Sequence, residues 1–219
     1  MELTALIDAI LASKNEQQAV GMRAYMRDQF QFLGISTPRR RTICTPYFKQ
    51  AKKSQAVDWN FINICWANPY RELQYVAKDY LVAMQGSLTP LDIPKIRQLA
   101  VTKSWWDTID GLDRTVGDIV FSYPDMNGLM LHWSIDENIW LRRIAIDHQL
   151  SRKEKTDTEL LAKIIENNLG GNDFFINKAV GWALREYSKT NPQWVKTFIG
   201  KNSEKIASLS IREASKYLS

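Results

Sequence analysis

Thr156-Asp157-Thr158-Glu159-Leu160-Leu161-Ala162-Lys163-Ile164-Ile165 is the stretch whose reading decides the fold class. A threonine three residues ahead of a glutamate makes a capping box, in which each side chain satisfies a backbone N–H that the first helical turn leaves open. The apolar pairs Leu160-Leu161 and Ile164-Ile165 then recur at helical spacing. Working outward, Thr89-Pro90 and Asn191-Pro192 set a cap residue before a proline at the first helical position, where its missing N–H costs nothing. Gly200 falls where the helix after Pro192 should stop. No run alternates apolar and polar residues as a half-buried strand would. Paired helices joined by short polar turns are predicted throughout.

A long period overlies this pattern. Pro69-Tyr70-Arg71-Glu72-Leu73, Trp105-Trp106-Asp107, Ile139-Trp140-Leu141-Arg142-Arg143, Phe174-Phe175-Ile176-Asn177-Lys178 and Leu209-Ser210-Ile211-Arg212 each carry a charge shortly after apolar or aromatic residues. Positions 71, 107, 143, 178 and 212 are separated by 36, 36, 35 and 34 residues. Self-similarity at that scale predicts an all-α chain, an α-solenoid in which each unit is a helix pair stacked on its neighbours. The recurring charges either line its concave face or are solvated helix-surface groups.

Composition narrows the function. The 219 residues fit one domain, 1–219, of about five to six helix pairs. A net charge of +5 suits an anionic partner such as nucleic acid. Cys44 and Cys65 form no CxxC, and His132 and His148 stand in no ligand spacing, so neither a metal nor a cofactor is expected. Met1-Glu2-Leu3-Thr4 does not open like a signal peptide, and no apolar stretch approaches a membrane span. A monomer in the cytoplasm, with no membrane partner, is expected. Gly-rich phosphate loops, GxSxG and HExxH are absent from the sequence, which argues against the common nucleotide-binding and hydrolase classes.

Four segments could carry chemistry. In Lys103-Ser104-Trp105-Trp106-Asp107-Thr108-Ile109-Asp110, Ser104 and Asp107 form a capping-box pattern, so a helix should start there with Asp107 in a structural role. Asp110 lies one turn after Trp106 on the same face, while Trp105 points elsewhere, into the core. A carboxylate above an indole attracts a cation or a developing positive charge, unless it is simply a surface aspartate beside a half-buried ring. Arg143, three residues after Trp140, offers a fork for phosphate oxygens or a surface charge, with Arg142 on another face. Lys178, Trp182 and Arg185 form one helical stripe flanked by the small Gly181 and Ala183. That stripe suits either phosphates and sugars or two snorkelling cations around a buried ring. Arg23-Ala24-Tyr25-Met26-Arg27 and Thr37-Pro38-Arg39-Arg40-Arg41 are basic with an interleaved aromatic, fit for phosphate or for a solvated helix start.

Taken in order, Trp-Trp-Asp-x-x-Asp, Asn-Ile-Trp-Leu-x-Arg and Lys-Ala-x-Gly-Trp-x-Leu-Arg-Glu-Tyr resemble the AlkD-type DNA alkylation-repair glycosylases. So do Ala24-Tyr25-Met26, Phe30-Gln31-Phe32-Leu33-Gly34-Ile35-x-Thr37-Pro38 and Arg71-Glu72-Leu73-Gln74-Tyr75-Val76-Ala77. The resemblance implies HEAT-like helical repeats with a basic concave cleft for duplex DNA. It implies removal of cationic N3- and N7-alkylated purines, with the base left in the duplex. By position, Asp110 would be the catalytic carboxylate, Trp106 and Trp182 would flank the deoxyribose, and Arg143 would hold a backbone phosphate. Tyr25 would contact DNA, and the basic segment and stripe described above make Arg40, Lys178 and Arg185 further expected DNA contacts.

The residue set suits that reaction. Ordinary glycoside hydrolysis needs one carboxyl group to protonate the leaving group and another to act on the sugar. An N3- or N7-alkylpurine is already cationic and leaves as a neutral base, so one carboxylate is enough to stabilise the oxocarbenium-like sugar and orient water. Indole faces add cation–π stabilisation. No lysine is placed as a Schiff-base nucleophile, so strand cleavage is not expected. Two other readings fit the same sequence: a protein that binds damaged or distorted DNA without excision, and a solenoid scaffold for protein partners.

Overall fold

The computed structural model describes residues 2–218. Among them there is no β-strand, only an isolated bridge in which the Arg71 N–H donates to the Gln31 carbonyl at 2.8 Å. The all-α class read from the sequence holds. The helices group into two compact units that meet in sequence at Leu88 and Thr89.

The first unit holds α1 (Leu3–Leu11), α2 (Glu16–Tyr25), α3 (Thr37–Ala51), α4 (Trp59–Ala67) and α5 (Arg71–Ala83). Its core is built from Leu6, Ile10, Phe61, Ile62, Leu73 and Leu81, one apolar face from each of α1, α4 and α5. Asn15 and Asp58 cap α2 and α4 by accepting from the Gln18 and Phe61 amides at 3.1 and 2.9 Å. Each such cap contributes about 1 kcal/mol. The turn before α3 depends on Gly34, which has φ +87° and whose missing side chain leaves room for the Asn15 carbonyl. The fully buried Glu72 carboxylate accepts the amides of Leu33, Gly34 and Ile35 at 2.9, 2.8 and 3.1 Å. A buried charge is tolerable here because three backbone donors replace its water.

The second unit holds α6 (Ile93–Ala100), α7 (Trp106–Ser122), α8 (Asn127–Trp133), α9 (Ile139–Asp147), α10 (Thr158–Glu166), α11 (Phe174–Ser188), α12 (Pro192–Lys201) and α13 (Ser208–Ala214). Here α7 packs on α9, α9 on α11 and α11 on α13, while α8 and α10 pack on each other and back α9. That is the two-row stacking of a solenoid. Within this unit the long period marks one row: residues 107, 143, 178 and 212 fall on α7, α9, α11 and α13. In α9, α11 and α13 the marked residue is the fifth of its helix, so the three share a register.

Two glycines allow the close approaches in this row. A Cβ on Gly117 would collide with the His148 carbonyl, and one on Gly181 would lie 2.6 Å from the Glu213 Cβ and 3.2 Å from the Ser210 backbone. Close helix packing is therefore what Gly181 provides.

Three helix-end expectations change. Ser104 does not cap α7: its hydroxyl donates back to the Ala100 carbonyl at 2.6 Å, an open acceptor at the end of α6, and Trp105 stands at the N-cap. Asp157 rather than Thr156 caps α10, accepting from the Leu160 amide at 2.9 Å. Finally, α12 runs past Gly200 to Lys201, with Asn202 at its C-cap. The prolines read as helix starts stand where expected: Asn191 caps α12, and Thr89 forms a capping box with Asp92 on the 3-10 turn that leads into α6.

Candidate active site

Asp110 sits in the second turn of α7, one turn after the half-buried Trp106 that opens the helix. Across from it, α9 carries Arg143, whose side chain is 2% exposed. Arg143 Nε donates to Asp110 Oδ1 at 2.7 Å and Nη2 to Oδ2 at 3.0 Å, a bidentate fork that fixes the plane of the carboxylate. Nη1 donates to the Phe175 carbonyl at 2.7 Å, which anchors the guanidinium to the first turn of α11. Three consecutive helices of one row thus meet at a single guanidinium. The Asp110 side chain keeps 23% of its surface, so the carboxylate is held on one side and open on the other.

Two further carboxylates stand behind this pair. Asp113, one turn along α7, and Asp147, one turn along α9, each place an oxygen within 4.8 Å of one from Asp110 and of each other. Asp147 is completely enclosed, neither of its oxygens has a hydrogen-bond partner, and its nearest cation is Arg143 Nε at 3.9 Å. Burial pushes the Asp147 carboxyl well above the ordinary range; Arg143 opposes that shift, and Asp113 and Asp110 add to it. Burial alone would lower the Arg143 pKa, but Asp147 and Asp110 outweigh it and hold the guanidinium firmly charged. Asp110, Asp113 and Asp147 also share the lining of a cavity of about 680 Å³ with His148 and the basic Arg114 and Arg152. Among the described residues, these three carboxylates are the group that could hold a metal ion.

Trp182 lies on the far side of Arg143, its ring centroid 5.0 Å from the guanidinium carbon. Lys178 and Arg185 stand 5.5 and 5.8 Å from the same ring, so the predicted stripe on α11 is assembled around the indole. Both cations are tied to Glu213 of α13: Lys178 Nζ donates to Oε1 and Arg185 Nη1 to Oε2, each at 2.9 Å. Lys216 adds a third bond at 2.7 Å. Hydrogen bonds from Lys216 and Lys178 hold the Glu213 carboxyl down at about 2. Three cations on one carboxylate leave local positive charge in excess, and Lys178 and Arg185 retain about a quarter of their side-chain surface. Behind the site, Trp105 packs on Phe175 and Trp140 at 5.2 and 5.9 Å between ring centroids, consistent with an inward-facing side chain.

The remaining predicted positions lie in the first unit. Tyr25, the last residue of α2, is 72% exposed. Arg40 is 4% exposed, with Nη2 donating to Asp79 at 3.1 Å and its guanidinium 4.8 Å from the Tyr75 ring centre. On α3 the Arg40 side chain is held by an acid and an aromatic face, while Arg39 and Arg41 stay exposed.

Sequence reasoning did not reach Asp113, Asp147, Glu213 or the Phe175 carbonyl. Spacing offered a partial signal, since Asp113 is three residues from Asp110 and Asp147 four from Arg143, each on a shared helix face. The two cysteines are buried free thiols; burial pushes Cys44 up to about 12 and Cys65 higher still, which removes them from nucleophilic chemistry.

A stacked-helix protein with an exposed carboxylate gripped by a buried arginine, beside an indole ringed by cations, has the equipment of a solenoid enzyme. The chain belongs to the DNA alkylation repair enzyme family, whose sequence profile matches residues 6–218. It is similar to a solved structure described as a predicted DNA alkylation repair enzyme from Enterococcus faecalis, at 34% identity and a TM-score of 0.86, covering 94% of this chain and 97% of that one. No curated protein matches the chain.

Proposed function

We propose that this protein is a monofunctional DNA glycosylase that hydrolyses the N-glycosidic bond of cationic N3- and N7-alkylpurines in duplex DNA. The observation that carries this reading is the Arg143–Asp110 fork: a carboxylate fixed in orientation by a buried guanidinium, with one face still open. A fixed negative charge facing a sugar stabilises the oxocarbenium-like transition state without reorganising during the reaction. Arg143 is then a positioning residue for Asp110, a role more specific than phosphate contact. Trp106 and Trp182 border the sugar, and Trp182 is already oriented by three cations. In this reading the excess charge of Lys178, Arg185 and Lys216 around Glu213 attracts backbone phosphates, and Tyr25 meets DNA from the first unit. No helix among the described residues is long and apolar enough to cross a membrane, and a cytosolic monomer goes with this function.

The test is release of 7-methylguanine from a duplex by the wild type and by Asp110→Asn. Loss of a preorganised charge of this kind costs about 10²–10³ in rate. Release by the wild type with such a loss in the variant supports the proposal. No release from this or a 3-methyladenine duplex, despite salt-sensitive DNA binding, points instead to a non-excising damage binder.

A further inference from the structure

We propose that the Asp110, Asp113 and Asp147 carboxylates form a binding site for one hard divalent cation of about the size of Ca²⁺. Their oxygens lie within 4.8 Å of one another. Ligands on one Ca²⁺ sit about 2.3–2.6 Å from the ion, and three oxygens no more than 4.8 Å apart share a point within about 2.8 Å of each, so at most a slight closure brings all three to Ca²⁺ distance. Mg²⁺, at about 2.0–2.1 Å, would require the cluster to contract. An all-oxygen donor set selects hard cations over zinc or copper.

Two buried groups at the cluster lack hydrogen-bond partners. Asp147 has no exposed side-chain surface, yet neither oxygen accepts a hydrogen bond, and Arg143 approaches no closer than 3.9 Å because its donors are turned to Asp110 and Phe175. His148 is 3% exposed and lines the same cavity. Its Nδ1 donates to the Ala145 carbonyl at 2.6 Å, which leaves Nε2 as an unpartnered acceptor suited to a water in the ion's shell.

A cation there would offset the negative charge that Asp110 presents to a sugar, so the site would restrain base release. Binding itself does not depend on the glycosylase reading, because it is measured on the full chain without DNA. Calorimetric titration with Ca²⁺, supported by Tb³⁺ luminescence, should give saturable 1:1 binding. Asp147→Asn and Asp113→Asn should each weaken it at least about tenfold with the helical circular dichroism signal unchanged; if Asp147→Asn fails to fold, Asp113→Asn decides. The absence of saturable binding up to about 10 mM Ca²⁺, or equal affinity in wild type and a folded variant, overturns the proposal.

Discussion

Arg143 carries more of this structure than any single residue named with it. Its guanidinium holds Asp110, reaches the Phe175 carbonyl and is the nearest cation to the enclosed Asp147. Removing one partner of a buried ion pair leaves the other uncompensated, at a cost of about 3–5 kcal/mol. Arg143→Ala should lower the denaturation midpoint by that order, measured by urea titration. Arg143→Lys should recover part of the stability because it keeps the charge. A lysine cannot form the fork, however, so it should leave base release well below wild type. Equal recovery of stability and activity by lysine would show that the orientation of Asp110 is unimportant.

At the scale of elements, the contact between α11 and α13 combines a steric and an electrostatic condition. Gly181 admits the Glu213 Cβ, and Glu213 then gathers Lys178, Arg185 and Lys216. Gly181→Ala must push α13 outward, and overpacking of this kind costs about 1–3 kcal/mol; thermal unfolding reads it directly. The pH dependence has a definite sign. Glu213 is held down at about 2 in the folded chain, below the ordinary glutamate range, so the folded state favours its ionised form. Its contribution is complete above the unfolded pKa of about 4.3 and fades as the pH falls toward 2. Between about pH 5 and 2, the wild type should therefore lose more stability than Glu213→Gln. Parallel pH profiles for the two proteins would remove Glu213 from this role.

Across the whole molecule, the net charge of +5 sets how the chain should meet an anionic polymer. Phosphate contacts release counterions, so affinity for duplex DNA should fall about tenfold or more between 50 and 200 mM salt. A binding isotherm indifferent to salt would favour a protein-binding scaffold. The sequence exposed the architecture because repetition is a property of the whole chain: Asp107, Arg143, Lys178 and Arg212 mark α7, α9, α11 and α13 even though their exposures differ, from the buried Arg143 to the exposed Arg212. The site was half legible for a related reason. Asp110 with Trp106, and Lys178 with Trp182 and Arg185, are neighbours within one helix, where spacing alone sets the geometry. The bonds from Arg143 to Asp110 and from Lys178 to Glu213 cross 33 and 35 residues, and no local pattern announces them. Helix ends shift by a residue or so from the sequence reading, as at Ser104, whose hydroxyl donates back to the Ala100 carbonyl instead of capping α7.

The common register of α9, α11 and α13 makes the chain unequal in its tolerance of length changes. One residue inserted between Phe174 and Lys178 would turn everything after it by about 100° around the helix axis, carrying Trp182 away from Arg143 and both cations away from Glu213. The same residue added at Gly170-Gly171, where open space surrounds the backbone, leaves α11 in phase. In evolution, this protein's length should drift in its turns and stay constant within its inner helices.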